Sequence, residues 1–141
     1  MSATLDATPQ QHSWTFEEHC VTQLIIEPGA VRLATWTLQA SAEIRLDTPF
    51  RFVEGDGTAR RIDPEEPELL APLLTLVGRT VHGLVVTIAG ELEVSFGDGS
   101  RLSAWPHPRH EAWQVSGGGA LEGMAYVCAI GGGVPWGEEA G

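Results

Sequence analysis

Ala42-Glu43-Ile44-Arg45-Leu46-Asp47-Thr48-Pro49-Phe50-Arg51-Phe52 is the stretch on which the fold is read. Ala42, Ile44, Leu46, Thr48, Phe50 and Phe52 fall on one face; Glu43, Arg45, Asp47 and Arg51 fall on the other. A period of two marks a half-buried β-strand, because successive side chains leave the backbone on opposite sides. Pro49 sits on the polar face and has no N–H to give a neighbouring strand, so it predicts a sheet edge or a bend. Glu54-Gly55-Asp56-Gly57 reads as the turn that follows, since glycine accepts positive φ and aspartate bonds nearby backbone.

Outward from this strand the pattern repeats. Arg79–Ile88, Glu91–Phe96 and Ser100–Trp105 predict an antiparallel meander, with Ala89-Gly90 and Gly97-Asp98-Gly99 as its turns. Within it Leu92, Val94 and Phe96 alternate with Glu91, Glu93 and Ser95. Cys20–Ile26 and Val31–Leu38 pair in the same way, and His110–Val115 and Leu121–Ile130 close the sheet around Gly117-Gly118-Gly119. Cys20–Ile26 also matches Thr80–Val86 in apolar pattern, a degenerate internal duplication. One helix is expected between the halves. Asp63-Pro64-Glu65-Glu66 resembles a capped start, Leu69 to Val77 supplies an apolar face and Gly78 ends it, while Pro67 and Pro72 shift the start or kink the helix.

The expected architecture is a single β-rich α+β domain. It has roughly seven or eight short antiparallel strands in a curled sheet, small sandwich or half-barrel, with one helix. Residues 1–13 lack periodicity and read as a flexible N-terminal tail, residues 14–137 as the domain and 138–141 as a C-terminal tail.

Charge narrows the partners. All eight basic residues are arginines and stand against 19 acids, a formal net charge of −11. That balance excludes binding to a nucleic-acid backbone and disfavours an anionic membrane. A basic protein partner and simple solubility both fit it. The first six residues carry no basic, apolar signal pattern, and Leu69–Val77 is far too short to span a bilayer, so a cytoplasmic protein is expected. Two cysteines, Cys20 and Cys128, are too few for a disulfide scaffold; a single bridge is compatible with them, two small buried apolar side chains more so.

The densest polar cluster is Trp105-Pro106-His107-Pro108-Arg109-His110-Glu111-Ala112-Trp113. A metal reading takes His107, His110 and Glu111 with His82 from a neighbouring strand, because imidazole and carboxylate suit zinc or another first-row ion. Two prolines deny it helical ligand spacing, and neither HExxH nor CxxC occurs. Cys20 adjoins His19, but neighbouring strand residues face opposite ways, which argues against a nucleophile–base pair. Asp56 and Asp98 are explained by their glycine turns, and the acids at 63–68 by the helix start. Gly131-Gly132-Gly133 lacks the spacing of a phosphate loop and reads as a chain segment carrying Trp136 back over the core. Five tryptophans supply packing and one or two anchors, among Trp36, Trp105 and Trp136.

Leu76-Val77-Gly78-Arg79-Thr80-Val81, the run Leu92–Leu102, Glu111-Ala112-Trp113-Gln114-Val115 and Gly131–Trp136 resemble small actinobacterial proteins grouped as domain-of-unknown-function family 6188, over roughly residues 60–137. The strand–glycine–tryptophan pattern is more loosely similar to that of bacterial toxin-immunity proteins. These motifs are structural, and the resemblance implies no activity. The expected function is therefore non-enzymatic. It is an acidic protein-binding domain, immunity-like or regulatory, masking a basic partner through Glu65, Glu66, Glu68, Glu91 and Glu93, with Trp105 and Trp136 as anchors. No cofactor is expected, and a homo-oligomer is compatible with the sequence. The alternative is a small-ligand or metal-binding domain, hydrolytic in its strongest form, built on the cluster at 107–111.

Overall fold

The alternation of residues 42–52 keeps its phase, with Ala42, Ile44, Leu46, Thr48, Phe50 and Phe52 all buried, yet the chain changes sheets in the middle of it. The computed structural model describes residues 2–134. In it, strand β5 (Ala40–Leu46) lies between β4 (Ala30–Trp36) and β11 (Trp113–Gly119) in one sheet, and β6 (Phe50–Val53) lies between β10 (Arg101–Ala104) and β7 (Ala59–Ile62) in another. Neither strand is an edge, so Pro49 marks the bend.

The larger, seven-stranded sheet runs β1 (Ser2–Ala7), β2 (Gln11–Glu17), β8 (Val81–Thr87), β9 (Leu92–Phe96), β10, β6, β7. The smaller runs β12 (Ala125–Val127), β11, β5, β4, β3 (Val21–Glu27). Every pairing is antiparallel. The inner faces share one apolar core, in which Phe50, Phe52, Leu33, Leu46, Leu84, Leu102 and Trp113 are almost wholly buried. Burying each such side chain is worth about 1.5–3 kcal/mol. A polar tie joins the sheets at one margin: the buried Tyr126 hydroxyl of β12 accepts from Trp14 Nε1 of β2 at 2.9 Å and lies 2.7 Å from His12 Nδ1.

The duplication is topological. Meander β3–β4–β5 is followed by hairpin β6–β7, and meander β8–β9–β10 by hairpin β11–β12; each hairpin joins the other half's sheet. Both first strands carry an irregularity at the same place, between Val21 and Gln23 and between Val81 and Gly83, and Cys20 and Thr80 form an isolated bridge.

Twelve strands replace the expected seven or eight. One gain is the splitting of the 42–52 strand, and another is β7. The other two correct the flexible tail assigned to residues 1–13: β1 pairs with β2 from Ser2↔Glu17 to Ala7↔His12. As an edge strand held by backbone bonds, with Leu5 43% exposed, β1 leaves no hydrophobic period to read. The helix is a 3-10 helix, Pro67–Leu76, burying Leu70, Leu73 and Leu76. It begins at Pro67, the later start that the prolines allow, and not at the capped start: Asp63 Oδ1 accepts from the Glu65 N–H at 3.0 Å in a turn, and Glu66 makes no side-chain cap. Pro72 inside it has no N–H to donate. Gly117–Gly119 belong to β11 rather than to a turn. A Cβ at Gly117 would meet the Leu121 carbonyl and one at Gly119 the Gln39 carbonyl, so close backbone approach requires glycine there.

Leu92, Val94 and Phe96 point inward while Glu91 and Glu93 are exposed. Val94→Asp is expected to abolish cooperative thermal unfolding, because an unpaired buried charge costs several kcal/mol against a total of about 5–15 kcal/mol. A soluble Val94→Asp protein with an unchanged melting transition would refute this placement.

Candidate functional site

The β5–β6 and β10–β11 crossings leave the smaller and larger sheets at the same end of the sandwich. Leu46 pairs with Trp113, Arg51 with Ser103, and the Asp47 N–H donates to the Ala112 carbonyl at 2.9 Å. The first crossing is only three residues, Asp47–Pro49; the second is the eight-residue loop Trp105–Ala112. The loop is held from outside by backbone: the Gly131 N–H donates to the His107 carbonyl at 2.8 Å, and Gly133 N–H to the Ala89 carbonyl at 2.9 Å. The 131–133 glycines therefore brace this loop against the β8–β9 turn. Trp136 lies outside the described residues.

The loop walls an open cleft of about 690 Å³. Asp47 and Arg45 come from the end of β5, Asp63 and Glu65 from the turn before the 3-10 helix, and His107, His110 and Glu111 from the loop. Four carboxylates thus face one guanidinium and two imidazoles. Arg45 is already engaged, with Nε 3.0 Å from Asp47 Oδ1 and Nη1 3.7 Å from Glu27. Asp63, Glu65 and Glu111 make no ion pair among the described residues. Gly29 opposite has φ +76°, and a Cβ on it would lie 3.0 Å from the Glu65 carboxylate. The His107 and His110 rings are 4.9 Å apart, and His107 Nδ1 accepts from the Arg109 N–H at 3.1 Å.

On the other side of the same loop, Trp105 closes a groove of about 230 Å³ with Glu91, Glu93 and Val85 on the outer face of the larger sheet. Trp105 is 42% exposed. Glu93 lies 3.8 Å from Arg101, both well exposed, a contact worth little in water. Glu91 makes no ion pair among the described residues.

Of the residues expected at a site, Glu65 enters the cleft, while Glu66 and Glu68 stay exposed at the helix start. Glu91, Glu93 and Trp105 are brought together. The set His82, His107, His110 and Glu111 is not. His82 is exposed on β8 beside the β9–β10 turn, away from the cleft, because its strand belongs to the larger sheet's interior order. No three His, Cys, Asp or Glu side chains among the described residues converge as a metal-holding group. Asp47 and Asp63 join the cleft without a sequence signal of their own, since the first continues a strand's polar face and the second has the pattern of a helix cap.

The other reactive types have structural employment. Cys20 and Cys128 are both free; Cys128 is buried, and burial pushes its thiol pKa up, away from the nucleophilic thiolate. Cys20 is half-buried rather than fully buried. Asp56 and Asp98 accept from the N–H groups of Thr58 and Ser100 at 2.9 Å, as their turns require. Their hydrogen bonds hold both carboxyls below the usual range.

Treatment with a chelator is expected to leave the melting temperature unchanged, since a native metal would add its binding free energy to folding. A fall of more than a few degrees, reversed by zinc, would contradict the arrangement described.

No curated protein and no solved structure matches the chain. A family model described as "Family of unknown function (DUF6188)" matches residues 12–136, nearly the whole described chain, and the chain belongs to that family.

Proposed function

We propose that the protein is a non-enzymatic binding module that covers a basic surface of another protein, in an immunity-like or regulatory role. The observation that carries this reading is the loop Trp105–Glu111, which walls an acid-lined cleft with His107, His110 and Glu111 and sets the exposed Trp105 indole in a second groove beside Glu91 and Glu93. A cation entering either one meets carboxylates with no arginine in ion-pair contact: Asp63, Glu65 and Glu111 on one side, Glu91 on the other. Tryptophan supplies a large rigid contact and attracts cations over its ring face. The net charge of −11 steers a basic partner toward the surface, raising association rates by roughly 10–10³ at low salt. Arg109 is exposed on the same loop and makes no ion pair among the described residues. It offers a carboxylate on the partner a fixed counter-charge and so adds selectivity. Two free cysteines agree with a reducing, cytoplasmic setting. No helix among the described residues is long and apolar enough to cross a membrane.

Affinity capture from host lysate at low and moderate salt, followed by titration of the purified captured protein, tests the proposal. A basic partner is expected, bound less tightly as salt rises. Trp105→Ala is expected to cost about 2 kcal/mol of binding, roughly a 30-fold loss. Joint Glu65→Gln, Glu91→Gln and Glu111→Gln should slow association most at low salt. Failure to capture any basic protein at low salt, or a captured one indifferent to these variants, would leave the acids with a solubility role alone.

A further inference from the structure

His19 lies where the chain crosses from β2 in the larger sheet to β3 in the smaller. Its residue is 1% exposed, its ring meets Phe16 edge-on with centroids 5.3 Å apart, and neither ring nitrogen has a hydrogen-bond partner among the described residues. The Thr35 hydroxyl, lining the same enclosed cavity, also has none. Elements β3, β4, β5, β8 and β9 otherwise present only apolar side chains to this space, such as Val21, Leu33 and Phe96, so among the described residues no second titratable or charged group lines it. Along the chain, Glu17 and Glu18 beside it are exposed and Cys20 is half-buried. The cavity holds about 10 Å³, room for about one water, so no hydration shell can accompany a charge there.

The backbone around His19 is the seam between the sheets. Its carbonyl accepts from the Val81 N–H at 2.7 Å, the Val21 N–H donates to the Arg79 carbonyl at 2.9 Å, and Cys20 bridges Thr80. Glu18 is the one non-glycine residue with positive φ, 58°, among those described. A strained residue beside an orphaned buried polar group marks a conformation held only by its surroundings.

We propose that His19 is an acid-sensitive latch, whose protonation drives the ring out of its cavity and opens the seam between the two sheets at Cys20–Thr80. Burial lowers its pKa from 6.5. The opened state therefore binds more protons than the closed one below that value, and the latch weakens as pH falls through the window beneath 6.5.

Amide hydrogen exchange on the full chain at about pH 7.5 and about pH 5, corrected for the intrinsic rate, reads the seam through the Val21 and Val81 amides. Their protection is expected to fall by roughly tenfold at the lower pH, while Val94 and Leu102 keep theirs. His19→Phe, which keeps an aromatic ring against Phe16, should abolish the fall. His12, whose pKa burial also lowers, is untouched by that variant and serves as the internal control. The nuclear magnetic resonance titration of the His19 ring in the unmodified protein gives an independent measure, with a midpoint below 6.5 that tracks the loss of protection. An ordinary titration with protection intact, or an equal fall in His19→Phe, would overturn the proposal.

Discussion

The rest of the structure depends on the exchange of hairpins between the sheets. Phe50 and Phe52 arrive in the larger sheet from the first half, opposite Ile62 and Leu102; Trp113 and Val115 arrive in the smaller sheet from the second, opposite Leu46 and Ile44. Neither meander has its full complement of neighbours without the other half's hairpin. Separating the sheets would break strand pairing within each as well as the contacts between them, because covalent chain crosses the interface at Asp47–Pro49 and at Trp105–Ala112. Side-chain burial and backbone pairing thus fail together, which is the condition for cooperative unfolding. The same topology sets both crossings at one end, tied by Asp47 and Ala112, and so creates a cleft whose longer wall is free of strand pairing and open to chemical variation.

Hydrophobic alternation reports which face of the chain is buried, and in that respect residues 42–52 and 91–96 were legible from sequence. It is silent about which sheet a strand joins. A buried phase that passes unbroken through Thr48 looks like one long strand, although β5 and β6 pair with different partners on either side of Pro49. Elements held chiefly by backbone bonds carry still less signal: residues 4–7 of β1 are exposed, and in β7 only Ile62 is buried. The three glycines of β11 mislead for a related reason. Their composition suggests a turn, whereas Gly117 and Gly119 answer to carbonyls that only the folded chain brings near.

The candidate site was partly legible because some of its members are neighbours in sequence. His107, His110 and Glu111 share a loop, and Glu91 and Glu93 share a strand face. Their meeting with Glu65, and Trp105's with Glu91, follow from the exchange of hairpins, which no local spacing encodes. Asp47 and Asp63 carry no such signal, because the strand alternation and the turn each suffice to explain them locally. Local roles of this kind do not exclude a second one: Asp63 accepts from the Glu65 N–H in the turn before the helix, and it also lines the cleft. His82 is the converse case, chemically apt and topologically remote.

The distribution of arginine completes the electrostatic picture. On the outer face of the smaller sheet Asp47, Arg45, Glu27, Arg32 and Glu43 form an alternating chain, with Arg32 Nε 2.9 Å from Glu27 and Nη1 3.2 Å from Glu43. Arg60, Arg79 and Arg101 are similarly engaged with Glu54, Asp98 and Glu93. Arg51 and Arg61 face each other across β6 and β7, where like charges oppose pairing to a further strand at the sheet's edge. Most of the positive charge is thereby committed to the sheet faces, at separations short against a screening length of about 8 Å. What remains at the crossing end is acid in excess of base, on a loop braced by glycine backbone rather than by charge. A cation approaching that end would meet Asp63, Glu65 and Glu111 without dismantling any ion pair among the described residues.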